Sequence, residues 1–266
     1  MDLGIQGKAA AVAASSSGLG FAVARELARE GARVMICSRR PERVEEAVAE
    51  IRQSAGNDAG QVEGIVLDFS DVGAPERFVR ETAVAFGAVD ILVANNGGPP
   101  PGPPLGLGDE AWEVGFRQTF ESSRRLAEAA IPGMRSRGWG RIVFITSISV
   151  KQPIAGLAIS TAMRSAVVGY AKMLSDDLAC HGVTVNCVAP GSTATARLES
   201  LLAERARKED RPLDEVRSAA EAQIPAARFG RPEEFAAAVA FFASDRASYI
   251  SGTVLAVDGG LVRSLT

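Results

Sequence analysis

The stretch AAAVAASSSGLGF, residues 9–21, passes from a short apolar run through three serines and two glycines straight into a helical pattern. AAAVAA (9–14) is a buried strand, and apolar residues then recur at helical spacing over 19–30. Gly18 and Gly20 let the backbone approach a bulky anion and let the helix pack close to the strand. The first N–H groups of that helix, from Gly18 through Leu19 onward, have no partner within the helix and stand at its positive end, which suits a pyrophosphate. Ser15, Ser16 and Ser17 add hydroxyl donors.

Working outward, the same alternation continues. RVMICS (33–38), VEGIVLD (62–68), VDILVAN (89–95), RIVFITS (141–147), VTVNCVA (183–189) and TVLAVD (253–258) are apolar nearly throughout, as strands covered on both faces by helices must be. Helices are expected over 19–30, 41–55, 73–86, 109–137, 160–181 and 232–243. Strand–helix alternation of this kind builds a parallel sheet through right-handed crossovers. The expected fold is therefore α/β: one domain over 1–266, a Rossmann-type doubly wound parallel sheet flanked by helices. Two segments interrupt the pattern. NNGGPPPGPPLGLG (95–108) has too much proline and glycine for regular structure. The charged, amphipathic stretch 196–228 is an insertion before the last helix. Both follow strand ends, where ligands bind in open α/β sheets, so the first is read as a stiff pocket wall and the second as a mobile substrate lid.

Composition narrows the function. A formal net charge of −3 over 266 residues gives no reason to expect a nucleic acid partner. No apolar run reaches the roughly 20 residues that span a bilayer, and the N-terminus lacks the basic start and apolar stretch of a signal peptide. Cys37, Cys180 and Cys187 are an odd number without metal-ligand spacing, so neither a disulfide framework nor a metal site is expected. The chain is expected to be soluble and cytoplasmic.

The second strand ends in Cys37-Ser38-Arg39-Arg40. An acid at this place would bond the ribose 2′-hydroxyl of NAD; here Ser38 and two arginines are suited to a 2′-phosphate. NADP(H) is the preferred cofactor, with NAD(H) the alternative.

Further landmarks follow in order. Asp68 and Phe69 close the third strand, Asn95-Asn96-Gly97-Gly98 closes the fourth, and Ile142 to Ser147 forms a strand ending in serine. Asn186-Cys187-Val188-Ala189-Pro190-Gly191 leads to Thr193 and Thr195, and Gly230-Arg231-Pro232 through Val257-Asp258-Gly259-Gly260 closes the chain. From residue 8 to residue 260 this resembles the short-chain dehydrogenase/reductase family, of the β-ketoacyl reductase kind. The resemblance implies adenine beside Asp68 and Phe69, cofactor contacts at Asn95 and Gly97, and nicotinamide held by Pro190, Gly191, Thr193 and Thr195. It also implies a catalytic serine at Ser147 and a small carbonyl or alcohol substrate. A homotetramer, or a homodimer, built from two long helices and the last strand is implied as well.

The chain departs from the family at its reaction centre. The expected tyrosine is Ser160, the expected lysine is Arg164, the usual helix asparagine is Thr119, and the first glycine of the phosphate loop is Ala14. A phenol titrates near about 10 and can be tuned downward by a lysine; an aliphatic hydroxyl cannot. Arg164 lies on the same helix face as Ser160, and can bond ribose hydroxyls or a substrate oxygen with a permanent charge. Tyr170 is about 280° around the helix from Ser160. Tyr249 reads as a packed aromatic, and His181 as part of a helix end before Gly182. The catalytic set is therefore Ser147, Ser160 and Arg164. Three functions fit: an NADP(H)-dependent oxidoreductase, a dinucleotide-binding protein without turnover, or a non-redox lyase or isomerase.

Overall fold

The computed structural model describes residues 2–56 and 60–265. Seven parallel strands, β1 (Ala9–Val12), β2 (Arg33–Ser38), β3 (Val62–Val66), β4 (Ile91–Ala94), β5 (Gly140–Ile145), β6 (Val183–Pro190) and β7 (Val254–Val257), stand in the order β3-β2-β1-β4-β5-β6-β7. The chain winds outward from β1 to β3, then returns to lay β4 beside β1, with Ala10 opposite Ile91 and Val12 opposite Val93. That reversal creates a crevice at the carboxyl ends of β1 and β4, the place where such sheets bind ligands.

Successive residues of β1 face opposite sides, and all four are fully buried. Ala10 and Val12 join one core with Leu27, Ile36 and Phe235, under α1 (Gly18–Arg29), α2 (Pro41–Ala55) and α9 (Pro232–Phe242). Ala9 and Ala11 join the other with Phe78, Leu126 and Phe144, under α3 (Ala74–Phe86), α5 (Ser122–Arg137) and α6 (Ala158–Leu178). This two-sided burial is why the strands are apolar without alternation. It fails at the sheet's edges. In β3, residues 63 and 65 are half-buried while 64 and 66 are exposed, and β7 is at most half-buried, because an edge strand has fewer neighbours on each face.

Several expectations need correction. The helix expected over 109–137 is α4 (Asp109–Gly115), a π-helical turn Phe116–Glu121, and then α5. The helix expected over 160–181 starts earlier, at Ala158, and its last three residues, Ala179–His181, tighten into a 3₁₀ turn before Gly182 at φ +69°. Tyr249 is fully exposed, not packed. The insertion 196–228 contains α7 (Ala196–Glu209) and α8 (Leu213–Glu221), which close on an apolar cluster of their own: Leu202, Ala206, Val216, Ile224 and Phe229. Among the described residues no helix is long and apolar enough to cross a membrane.

Candidate active site

The turn between β1 and α1 is built for close approach. A Cβ on Gly20 would lie 2.5 Å from the Ala14 carbonyl oxygen and 2.8 Å from Asn95 Nδ2, so only glycine fits. Asn95 Nδ2 donates to that same carbonyl at 3.1 Å, tying the end of β4 to the turn. Ser17 precedes α1 without capping it through its side chain, which leaves the first helical N–H groups free for an anion. Ser15 belongs to the scaffold: fully buried, its hydroxyl donates to the Val12 carbonyl at 2.6 Å and accepts from Cys37 N–H at 3.2 Å. The hydroxyls closer to solvent at this turn are those of Ser16 and Ser17.

Across the crevice, Pro190 ends β6 and Gly191 N–H donates to Val257 O at 2.9 Å. Thr193 is buried and paired with Gly230, while the Thr195 hydroxyl accepts from Leu198 N–H and caps α7. A Cβ on Gly18 would meet Thr195 Cγ2 at 3.9 Å, so the two segments face one another. A cleft of about 260 Å³ lies between them, walled by Gly18, Phe21, Arg25, Thr195, Pro232 and Glu233. Free helix N–H groups and a glycine cradle at the carboxyl edge of the sheet fit the diphosphate of a dinucleotide.

The edge formed by the ends of β2 and β3 is basic. Ser38 ends β2, Arg40 is exposed at the start of α2, and Arg39 Nη1 stands 3.8 Å from Asp68 Oδ2. Asp68 also accepts from Ser70 N–H at 2.9 Å, and Phe69 packs edge-on against Phe78 at 5.8 Å. A second cavity of about 470 Å³ joins Arg39 and Asp68 to Arg77 and Arg80. The last two lie on α3, where no motif signals them; only the fold brings them to this edge.

At the carboxyl end of β5, where the sequence places the candidate catalytic residues, Ser147 Oγ accepts from Ser149 N–H at 3.1 Å. Its lone pair is engaged while its own proton stays available to a ligand oxygen. Ser160 is buried in the first turn of α6, one turn before Arg164. Arg164 donates to the Thr146 carbonyl at 3.2 Å and to Asn96 Oδ1 at 3.3 Å, which sets it beside Ser147, and its buried Nε has no partner. Burial, and secondly the cation of Arg197, pull this guanidinium down to about 10. Arg197, on α7, was not evident from sequence; it donates to the Gly97 carbonyl from across the crevice. Thr119 is buried in the π-helical turn with its hydroxyl unpaired among the described residues. Tyr170 packs against Phe120 and Phe144, and burial raises its phenol to about 12, so it offers no replacement acid. His181 meets Arg135 at 3.0 Å on the surface.

The wall over this centre is pinned. Gly102 N–H donates to Gly156 O at 2.7 Å and Ala158 N–H to Gly102 O at 3.2 Å, joining the proline-rich 95–108 segment to the start of α6.

Comparison with known proteins agrees with this geometry. Residues 13–262 match the family described as enoyl-(acyl carrier protein) reductase. The chain is 34% identical over 262 residues to dehydrogenase/reductase SDR family member 4 of Bos taurus, covering 98% of this chain and 89% of that protein. Among solved structures, L-sorbose reductase from Gluconobacter frateurii, complexed with NADPH and L-sorbose, superposes with a TM-score of 0.93 at 30% identity over 100% of both chains. YwfH, an NADPH-dependent reductase involved in bacilysin biosynthesis, superposes with a TM-score of 0.91 at 29% identity, over 97% of this chain and 99% of that one. From its phosphate turn to its closing strand, the chain belongs to the short-chain dehydrogenase/reductase family.

Proposed function

We propose that this oxidoreductase uses NADP(H) in the crevice between residues 13–20 and 190–195 to reduce a carbonyl, or oxidise the matching alcohol, with Ser147, Ser160 and Arg164 as its catalytic residues. The observation that carries the reading is Arg164: a largely buried cation beside the serine, with an unpaired Nε, in the place where a developing oxyanion needs charge. Bound NADPH supplies the hydride. Ser147, already accepting from Ser149, donates its proton in a hydrogen bond to the substrate oxygen. Arg164 stabilises the negative charge that grows there. Ser160 cannot hold an alkoxide near neutral pH, so it passes on a proton from water and does not act as a stored acid.

Arg39 and Arg40, with the field of Arg77 and Arg80, favour the 2′-phosphate form of the cofactor. Asp68 and Phe69 flank the adenine, Asn95 and Gly97 border the ribose, and α7 and α8 form the substrate lid. The reading includes a reducing, cytoplasmic setting, supported by three free thiols, and assembly as a homotetramer or homodimer.

The test is NADPH consumption with a panel of ketones, diketones and acyl thioesters. Turnover is expected with at least one class, falling about 100-fold or more in Ser147→Ala and Arg164→Ala. Tight NADPH binding without turnover on any of them would overturn the enzymatic reading. Product formed with no change in the nicotinamide spectrum would replace it with non-redox chemistry.

A further inference from the structure

Two guanidiniums converge on the loop that follows β4. Arg164 reaches Asn96 Oδ1 from below, and that same oxygen accepts from Gly98 N–H at 3.1 Å. Arg197 descends from α7 to the Gly97 carbonyl and lies flat against Gly98, where a Cβ would sit 2.5 Å from its Nη1. Gly98 also holds φ +76°, so the Gly97-Gly98 pair both shapes this loop and makes room for the second arginine.

Neither cation has an acid. Most other cations of the lid segment are matched by acids, Arg205 with Glu209, Lys208 with Glu204, Arg217 with Glu199, and Arg228 with Glu234, while Arg207 is exposed to solvent. Among the described residues no carboxylate stands within ion-pair distance of Arg164 or Arg197, and they are near enough for one to depress the other's proton affinity. Two like charges held together, one of them largely buried, are unfavourable unless a ligand brings the opposite charge. A planar carboxylate meets guanidinium donors with matched geometry. The cofactor's diphosphate has its own cradle at the start of α1. Arg197 leans instead on the loop that continues into Pro99, which packs with Gly115 and Ile159.

We infer that Arg164 and Arg197 together form a carboxylate subsite, so that the substrate is an oxo acid or hydroxy acid whose acid group lies close to its reacting carbon. This rests on the oxidoreductase reading above and narrows its substrate class.

The test is calorimetric titration of protein saturated with NADP+, using benzoylformate and its uncharged methyl ester as probes. Benzoylformate is expected to bind the wild type at least tenfold more tightly than the ester. Arg197→Ala should remove that preference, Arg197→Lys should keep part of it, and Gly98→Ala, which displaces the arginine without deleting it, should weaken it. NADP+ affinity should stay within about twofold in Arg197→Ala. Equal binding of acid and ester by the wild type, or no binding of either, overturns the inference. So does a loss of NADP+ affinity in Arg197→Ala equal to the loss for benzoylformate, which would assign the arginine to the cofactor's phosphates. Failure of the wild type to bind NADP+ at all strikes the oxidoreductase reading instead, and is seen before any acid is added.

Discussion

Ala14 holds φ +48°, in the left-handed region that disfavours any residue with a Cβ. The family's glycine at this point is absent, yet the backbone keeps the shape glycine would take, since the Ala14 carbonyl must reach both Gly20 and Asn95. Left-handed strain is worth about 1–2 kcal/mol, and glycine's extra freedom in the unfolded chain returns about 0.4–1 kcal/mol of it. Ala14→Gly is therefore expected to stabilise the protein by up to about 1 kcal/mol, read from urea denaturation, with no loss of NADPH affinity. The thiols divide by burial. Desolvation pushes Cys37 and Cys187 up to about 12, while Cys180 is exposed. One thiol should react promptly with an aromatic disulfide reagent at pH 8, and three after denaturation. The same shifts set a sign for stability. The folded thiols stay neutral where unfolded ones ionise, near about 8.5, so stability is intact below that pH and is lost as pH climbs towards 12. Replacing Cys37 and Cys187 by alanine should flatten that alkaline decline. At this scale the sequence exposed Ser147, Ser160 and Arg164 because they lie at fixed spacing. It could not expose Arg197, which is 33 residues beyond Arg164 and meets it only through the fold. Nor could it show that Ser15's hydroxyl faces inward.

Strands and helices were legible wherever burial is two-sided, since a continuous apolar run leaves few alternatives. What escaped notice were places where the period shifts without a proline or a loop to mark it. The π-helical turn Phe116–Glu121 inserts into an otherwise unbroken pattern, and Ser122 and Ser123 bond back to the Gln118 and Thr119 carbonyls at 2.7 Å each. Such side-chain bonds compete with the regular ladder, and they occur at the very helix position where Thr119 replaces the family's asparagine. The lower ends of the strands depend on another element-scale tie. Arg141, only 2% exposed at the start of β5, donates to Ser244 O at 3.0 Å, Gly140 O at 2.9 Å and Gly182 O at 3.3 Å, and pairs with Asp245 at 3.3 Å. Its guanidinium also lies 4.4 Å from the Trp139 ring. Arg141→Ala strips several carbonyls of partners at once and should destabilise the fold by about 2–4 kcal/mol in chemical denaturation. The active-site edge lies at the opposite end of the strand, so NADPH affinity measured below the transition should change little.

For the molecule as a whole, doubly wound order was readable because seven apolar runs alternate with helices, leaving few topologies that avoid left-handed crossovers. Quaternary structure was not, since an amphipathic helix looks the same whether it covers a sheet or another subunit. The exposed features bear on it: Met173 on α6 is 66% exposed, Leu255 on β7 is 38% exposed, and β7 itself is a half-covered edge. The proposed assembly through the long helices and last strand would bury them. Light scattering at micromolar concentration should give a tetramer or dimer mass, and Met173→Glu with Leu255→Glu should shift it towards one subunit; a wild-type monomer contradicts the assembly.

The apolar cluster joining α7 to α8 draws on the two main cores for almost nothing; Leu261 is its main loan from outside 196–229. A segment with its own interior can change sequence and length without disturbing the sheet that positions the chemistry. Evolution, or an engineer, can therefore trade one cap for another on a single reductive base, altering what enters while leaving untouched how it reacts.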